Sequence, residues 1–161
     1  MREDGMIKPE LPHDHRLCFD EALIAAERLC AARGARLTET RRRVLALVWS
    51  GHKAVKAYDL LEHLAKDTGS ARPPTVYRAL DFLLAQGLIH RIESLNAYIG
   101  CPVPGDAHAS QFLICRSCAT VIEMTGRGIA GIVRREAMEQ DFLVERQTVE
   151  VHGLCSNCRA V

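Results

Sequence analysis

Two pairs of cysteines at the same spacing, Cys115-Arg116-Ser117-Cys118 and Cys155-Ser156-Asn157-Cys158, constrain this chain more than any other feature. Each CxxC knuckle presents two thiolates to one ion, and two knuckles complete the four-sulfur shell of a structural zinc site. The residues between them pass through strand-like and helix-like runs, so an ion held by all four sulfurs clasps a folded subdomain rather than a short finger. Thiolate ligation needs reduced sulfur, and the seven cysteines are expected to stay reduced in a cytoplasmic chain.

With 161 residues and 48% hydrophobic content, the chain suits one fair-sized domain or two small ones. No stretch approaches the roughly twenty apolar residues of a membrane span. Met1 to Leu17 mixes Arg, Glu, Asp, Pro and His without an apolar core, which predicts a flexible arm and not a secretory signal. The net charge of +1 hides an asymmetry: Arg33 to Arg91 holds eleven Lys/Arg against five Asp/Glu, whereas Leu95 onward holds six against seven. A basic half joined to a mildly acidic, Cys-rich half points to an electrostatic partner for the first half only; the plain alternative is a solvated basic face.

The first half reads as helices. Phe19 to Arg33 carries Ala22, Leu23, Ala26, Leu29 and Cys30 at helical spacing, with Gly34 as the stop. Cys30 falls in that stripe and reads as core; Cys18 is isolated and takes no role. Thr38 is suited to cap a second helix with Val44, Leu45, Val48 and Trp49 inward and Arg41 to Arg43 around its exposed side. A third helix sets Ala57, Leu60, Leu61 and Leu64 on one stripe and ends at Asp67-Thr68-Gly69-Ser70. A fourth opens on Pro73-Pro74, buries Val76, Ala79, Leu80, Leu83 and Leu84, and turns Thr75, Arg78 and Asp81 outward with Tyr77 on the flank.

Leu88 to Ile92 and Ala97 to Cys101 then read as a hairpin around Glu93-Ser94-Leu95-Asn96. Three helices, a fourth with a polar outer face and a two-stranded hairpin follow the order of a winged helix-turn-helix, which lays one helix in a DNA major groove. Arg78 near the start of that helix is suited to guanine, and Tyr77 to a phosphate or a thymine methyl. A solvated helix face in a small protein-binding module is the alternative.

Beyond the hairpin, Gln111 to Ile114, Thr120 to Met124 and Phe142 to Val151 are expected as strands. A helix from Gly126 or Gly128 to about Gln140 is expected to turn Ile129, Ile132, Val133 and Ala137 inward. One small sheet and one helix bury too little to stand alone, so zinc and dimerisation are the expected supplements. A second set of ligand types gathers at the junction: His90 in the first hairpin strand, Cys101 ending the second, His108 after the loop Pro102 to Asp106, and Glu123 beyond the first knuckle. Together they make a four-coordinate set whose thiolate favours zinc over iron or manganese. Because they straddle the two halves, an ion held by all four fixes the angle between them. His152 reads as a support for the knuckles or as structural, not as a ligand.

These residues resemble a known family. Leu37-Thr38-Glu39-Thr40-Arg41-Arg42-Arg43-Val44-Leu45, Ala57-Tyr58-Asp59-Leu60-Leu61, Pro74-Thr75-Val76-Tyr77-Arg78-Ala79-Leu80, His90-Arg91-Ile92-Glu93-Ser94 and the paired knuckles are similar to the ferric uptake regulator (Fur) family. Within it, Cys101, the single His108 in the following loop and His152-Gly153-Leu154-Cys155 are most similar to the zinc uptake regulator (Zur) branch. The resemblance implies an α+β fold, with a winged helix-turn-helix followed by a small α/β dimerisation domain stapled by zinc. It implies two Zn2+ per subunit, a structural one at Cys115, Cys118, Cys155 and Cys158 and a regulatory one at His90, Cys101, His108 and Glu123. It also implies a homodimer that binds an AT-rich inverted-repeat operator and represses zinc-uptake genes.

The expected division is an arm over 1–17, a DNA-binding domain over 18–101, a hinge loop over 102–109 and a dimerisation domain over 110–161. Thr75, Tyr77, Arg78, Arg36 and Arg41 are the expected DNA contacts. Nothing after Cys158 supplies a further His or Cys, so no third metal site is expected there. No membrane and no small-molecule substrate is expected. The rivals are another sensor of the same family (iron, manganese or peroxide), a zinc-stapled interaction module, and a zinc hydrolase or deaminase; for the last, the sequence offers no HxE…PCxxC arrangement.

Overall fold

Helical spacing of apolar residues builds the first half as expected, with one extension. The computed structural model describes residues 15–160 apart from 52, 70, 106, 107, 125 and 127. Helix α1 (His15–Ala32) begins before Phe19, because nothing after Pro12 in the sequence breaks a helix. Residues 1–14 of the expected arm lie outside the described residues. Ala26 and Cys30 of α1 are buried, and Gly34, at φ 64°, turns the chain after it.

Helix α2 (Glu39–Val48) is capped by Thr38, whose hydroxyl accepts the Arg41 N–H at 3.5 Å, and buries Val44, Leu45 and Val48. A two-residue strand β1 (Val55–Lys56) leads into α3 (Ala57–Thr68), which buries Leu60 and Leu64. Helix α4 (Pro73–Ala85) starts on two prolines whose missing N–H groups lose nothing in a first turn, and buries Val76, Ala79, Leu80 and Leu83. Strands β2 (Ile89–Ile92) and β3 (Ala97–Gly100) form the antiparallel hairpin, in register from Ile89 opposite Gly100 to Ile92 opposite Ala97. Strand β1 adds to the far edge of β3, giving the order β1-β3-β2. Two residues are too few for an alternating pattern to announce such a strand.

The second half is a three-stranded sheet in the order β5-β4-β6, from β4 (Ser110–Cys115), β5 (Val121–Glu123) and β6 (Thr148–Gly153), with β5 antiparallel and β6 parallel to β4. Helix α5 (Gly128–Glu139) connects β5 to β6, and one turn of helix α6 (Ser156–Arg159) follows. Strand β6 starts later than Phe142, because its ladder begins where β4 begins, at Thr148 opposite Ser110. The residues before Thr148 have no β4 backbone to pair with.

Alternation gives this sheet two different faces. Phe112 lies opposite Glu123 on one side and Glu150 on the other, and Ile114 lies opposite Val121 and His152. On that face Phe112, Ile114 and Val121 pack with Ile92 and Ile99 of the hairpin, so the wing and the second sheet share a core. The opposite face carries Leu113 between Ile122 and Val151, all exposed.

Helix α5 corrects a further expectation: Ile129, Ile132 and Val133 are exposed, and none of its residues is buried. The apolar stripe is real, but no element described in this chain covers it. Among the described residues, no helix is long and apolar enough to cross a membrane.

Gly100 admits close backbone approach: a Cβ there would fall inside the Trp49 indole. Gly100→Ala is expected to cost about 1–3 kcal/mol through overpacking. Urea unfolding measures this, and a midpoint equal to that of the unsubstituted protein would contradict the packing.

Candidate metal centres and nucleic-acid face

The hinge cluster is assembled from four segments. His90 comes from β2, Cys101 from the residue after β3, His108 from the loop before β4, and Glu123 from the end of β5. One ligand atom from each lies within 4.8 Å of all the others. His108 Nε2 is 2.9 Å from Glu123 Oε1 and 3.2 Å from His90 Nε2; His90 Nε2 is 3.1 Å from the same Glu123 oxygen, and Cys101 Sγ is 3.6 Å from His108 Nε2. Donors about 2.0–2.3 Å from a zinc ion at tetrahedral angles lie about 3.3–3.8 Å apart, so the four atoms nearly trace the edges of such a shell. The Glu123 side chain is only 4% exposed, and its Oε2 has no hydrogen-bond partner among the described residues. A buried carboxylate oxygen left over, beside two imidazole nitrogens and a sulfur, fits a cation and fits little else.

Ser110 was not anticipated at this site. Its hydroxyl is 3.2 Å from His90 Nδ1, on the side away from the cluster, where it orients the ring and leaves Nε2 facing inward. No sequence spacing announces such a residue. The His90 ring also stands edge-on to Phe112, centroids 5.5 Å apart.

Cys115, Cys118, Cys155 and Cys158 form the second cluster, again within 4.8 Å. The first pair sits at the end of β4 and in the turn to β5, and Cys155 begins the single turn of α6 that carries Cys158. Cys118 Sγ and Cys155 Sγ are 3.7 Å apart, close to the separation of two sulfurs on one zinc. The backbone N–H groups of Cys155 and Cys118 hold the Cys115 thiol down to about 6. The Thr120 hydroxyl lowers Cys118. Ser117 favours the Cys158 thiolate, but Cys155 and the other neighbouring sulfurs outweigh it and push Cys158 up to about 11. His152 stands apart from both clusters; its Nε2 lies 4.0 Å from Glu150 Oε2.

In the first half, Thr38, Thr40, Arg41, Thr75, Arg78 and Ala79 line a groove between the starts of α2 and α4. Thr75, Tyr77, Arg78 and Arg36 are exposed. Arg41 is half-buried, with its guanidinium 3.5 Å above the Phe82 ring and donating to the Arg36 carbonyl at 2.6 Å. Arg42 pairs with Glu27 and Arg43 with Glu39, so part of the basic face is already neutralised within the chain.

The fold and the two clusters define a winged helix-turn-helix protein with two sets of metal-ligand side chains, one of them spanning its two halves. The sequence profile of the ferric uptake regulator family matches residues 32–152. The Zinc uptake regulation protein of Escherichia coli (strain K12) is 42% identical over 139 residues, 86% of this chain and 81% of that protein. A zinc uptake regulator complexed with zinc and DNA is 41% identical and superposes at a TM-score of 0.84 over 88% of this chain and 95% of that one. This chain belongs to the ferric uptake regulator family. Holo XcZur, 43% identical, matches at a TM-score of 0.81 over 88% of this chain and 99% of that one. Apo XcZur, 42% identical with 88% and 97% covered, matches at 0.52. At nearly equal identity and coverage, this chain superposes better on the holo structure of XcZur than on the apo one.

Proposed function

We propose that this chain is a zinc-responsive transcriptional repressor of zinc-uptake genes, acting in the cytoplasm as a zinc-loaded homodimer on an AT-rich inverted-repeat operator. The observation that carries this reading is the convergence of His90, Cys101, His108 and Glu123 from wing, loop and sheet onto one point. The names of its relatives and the likeness to a zinc- and DNA-bound regulator support it. The division is a DNA-binding domain that opens with α1 and runs to residue 101, a hinge loop over 102–109 and a dimerisation domain over 110–161.

Two ions per subunit are held, a structural one by Cys115, Cys118, Cys155 and Cys158 and a regulatory one by His90, Cys101, His108 and Glu123. Each set offers four side-chain donors, which would complete the shell of a bound zinc without an open position for a reacting water, and this favours a regulator over an enzyme. When bound, zinc supplies a charge that neutralises Glu123 and ties the wing to the second sheet. His90 and Cys101 thereby follow His108 and Glu123, and the α4 helices of a dimer are held at the spacing of successive major grooves. Taking such a switch from almost all off to almost all on requires a preference of about 5.5 kcal/mol for the closed arrangement. The contrast between the holo and apo likenesses supports two such arrangements.

Thr75, Tyr77 and Arg78 read the groove, and Arg36 and Arg41 flank it toward the phosphates. The second copy covers the exposed apolar residues Leu113, Ile122 and Val151 of the sheet and Ile129, Ile132 and Val133 of α5.

Cys101→Ser is expected to remain a folded dimer that retains the structural zinc, while its operator affinity no longer rises with zinc. Unchanged operator affinity in a buffered-zinc titration would remove the hinge assignment, and the same titration with iron and manganese distinguishes other sensors of the family. Cys115→Ser is expected to lose the thermal unfolding transition of the second sheet; a normal melting profile would contradict the structural role. Arg78→Ala is expected to lose about 1–3 kcal/mol of specific binding. A loss confined to non-specific DNA would make Arg78 a phosphate contact.

A further inference from the structure

Besides the shared core, two carboxylates of the second sheet reach the wing, and only one of them belongs to the hinge cluster. Glu123 and Glu150 flank Phe112 in a single cross-strand row, so both carboxylates rise from the same face of the sheet. Glu123 meets the base of the wing, where His90 and Cys101 lie. Glu150 meets its tip: Oε1 accepts the Glu93 N–H at 2.6 Å and Oε2 accepts the Ser94 N–H at 3.1 Å. These are two consecutive amides of the hairpin turn, and one carboxylate satisfies both.

Neighbouring charges leave Glu150 free for that task. Glu93, the other carboxylate at the turn, is engaged by Arg146 Nη2 at 3.0 Å and Arg91 Nε at 3.3 Å. Glu150 is 12% exposed, so its bonds to the turn are shielded from competing water, and charge-assisted bonds of this kind are the strong ones. Burial pushes the Glu150 carboxyl up, and the hydrogen bonds from Ser94 and Glu93 more than offset it, leaving the group below its usual range.

We propose that Glu150 is a positioning residue for the hinge site, a metal-independent catch on the wing turn that sets the zinc concentration at which the hinge ligands close. The inference rests on the regulatory role given above to His90, Cys101, His108 and Glu123. Both attachments restrain the same motion of the wing against the sheet. With the catch engaged, His90 and Cys101 already stand beside His108 and Glu123, and zinc meets an assembled site. With the catch lost, the assembled arrangement is a smaller fraction of the population, and the apparent zinc affinity falls by that fraction. Once zinc is saturating, the catch adds nothing that the DNA-reading helices sense.

The test compares Glu150→Ala and Glu150→Gln with the unsubstituted dimer in three measurements. Glu150→Gln keeps the side chain's shape but turns a donor toward one of the two wing amides. The measurements are zinc affinity against a competing chromogenic chelator, operator affinity at saturating zinc, and amide exchange at Glu93 and Ser94 with the hinge site stripped. Both variants are expected to need about tenfold more free zinc for half-saturation and to exchange those amides faster. Operator affinity at saturating zinc is expected to stay within about twofold, since the DNA-reading face is untouched. An unshifted zinc half-point in both variants overturns the catch. A shift in Glu150→Ala alone also overturns it, because the effect would then be one of packing. If the unsubstituted protein bound its operator without regard to zinc, the regulatory reading itself would fail, while the exchange rates would still report the catch.

Discussion

A carboxylate buried as deeply as that of Glu123 has to be compensated, and the way it is compensated shapes the rest of the molecule. One of its oxygens faces two imidazoles while the other meets no donor among the described residues. Removing a carboxylate from water without full pairing costs several kcal/mol. The partners present are His90 from the wing and His108 from the loop before the sheet, with Cys101 beside them. The requirement therefore acts between parts of the chain rather than within one. Satisfying it draws the wing, the loop and the end of β5 to one point, and the orientation of α4 follows from where the wing is held.

The strand period carries that requirement into the architecture. Because successive residues of β4 point to opposite sides, Phe112 and Ile114 face the wing while Leu113 faces away, and the paired residues of β5 and β6 are sorted in the same way. A slip of one residue would turn Glu123 and Glu150 to the outer face and present Leu113 to the wing. Register is thus what separates a face of attachment, with two acids around an aromatic ring, from a face that exposes Leu113, Ile122 and Val151.

Much of the fold was legible in the sequence because its signals are local. Thr38 before α2, Pro73-Pro74 opening α4 and the apolar stripes of all four N-terminal helices name their own structure. The CxxC pairs name their ligands by spacing. The hinge set was legible only through residue type and resemblance, since four donors from four segments share no spacing, yet the fold brings all four together. What stayed hidden depends on partners distant in sequence. Strand β1 exists because β3 has a free edge, and β6 begins at Thr148 because β4 begins opposite it. Ser110 matters because a ring nitrogen from β2 reaches it, and Glu150 because a turn far upstream offers two amides. The stripe of α5 was read correctly as apolar and wrongly as inward, because periodicity reports that a face is to be covered and not by which chain.

The close packing of Trp49 on Gly100 has an optical consequence. Trp49 is the only tryptophan in the sequence, and the glycine beneath its indole immediately precedes Cys101. Under excitation that tyrosine does not absorb, the protein's emission therefore originates beside one of the hinge ligands. Any change in how β3 carries that cysteine alters the surroundings of the single fluorophore, so the hinge carries its own reporter without an added dye.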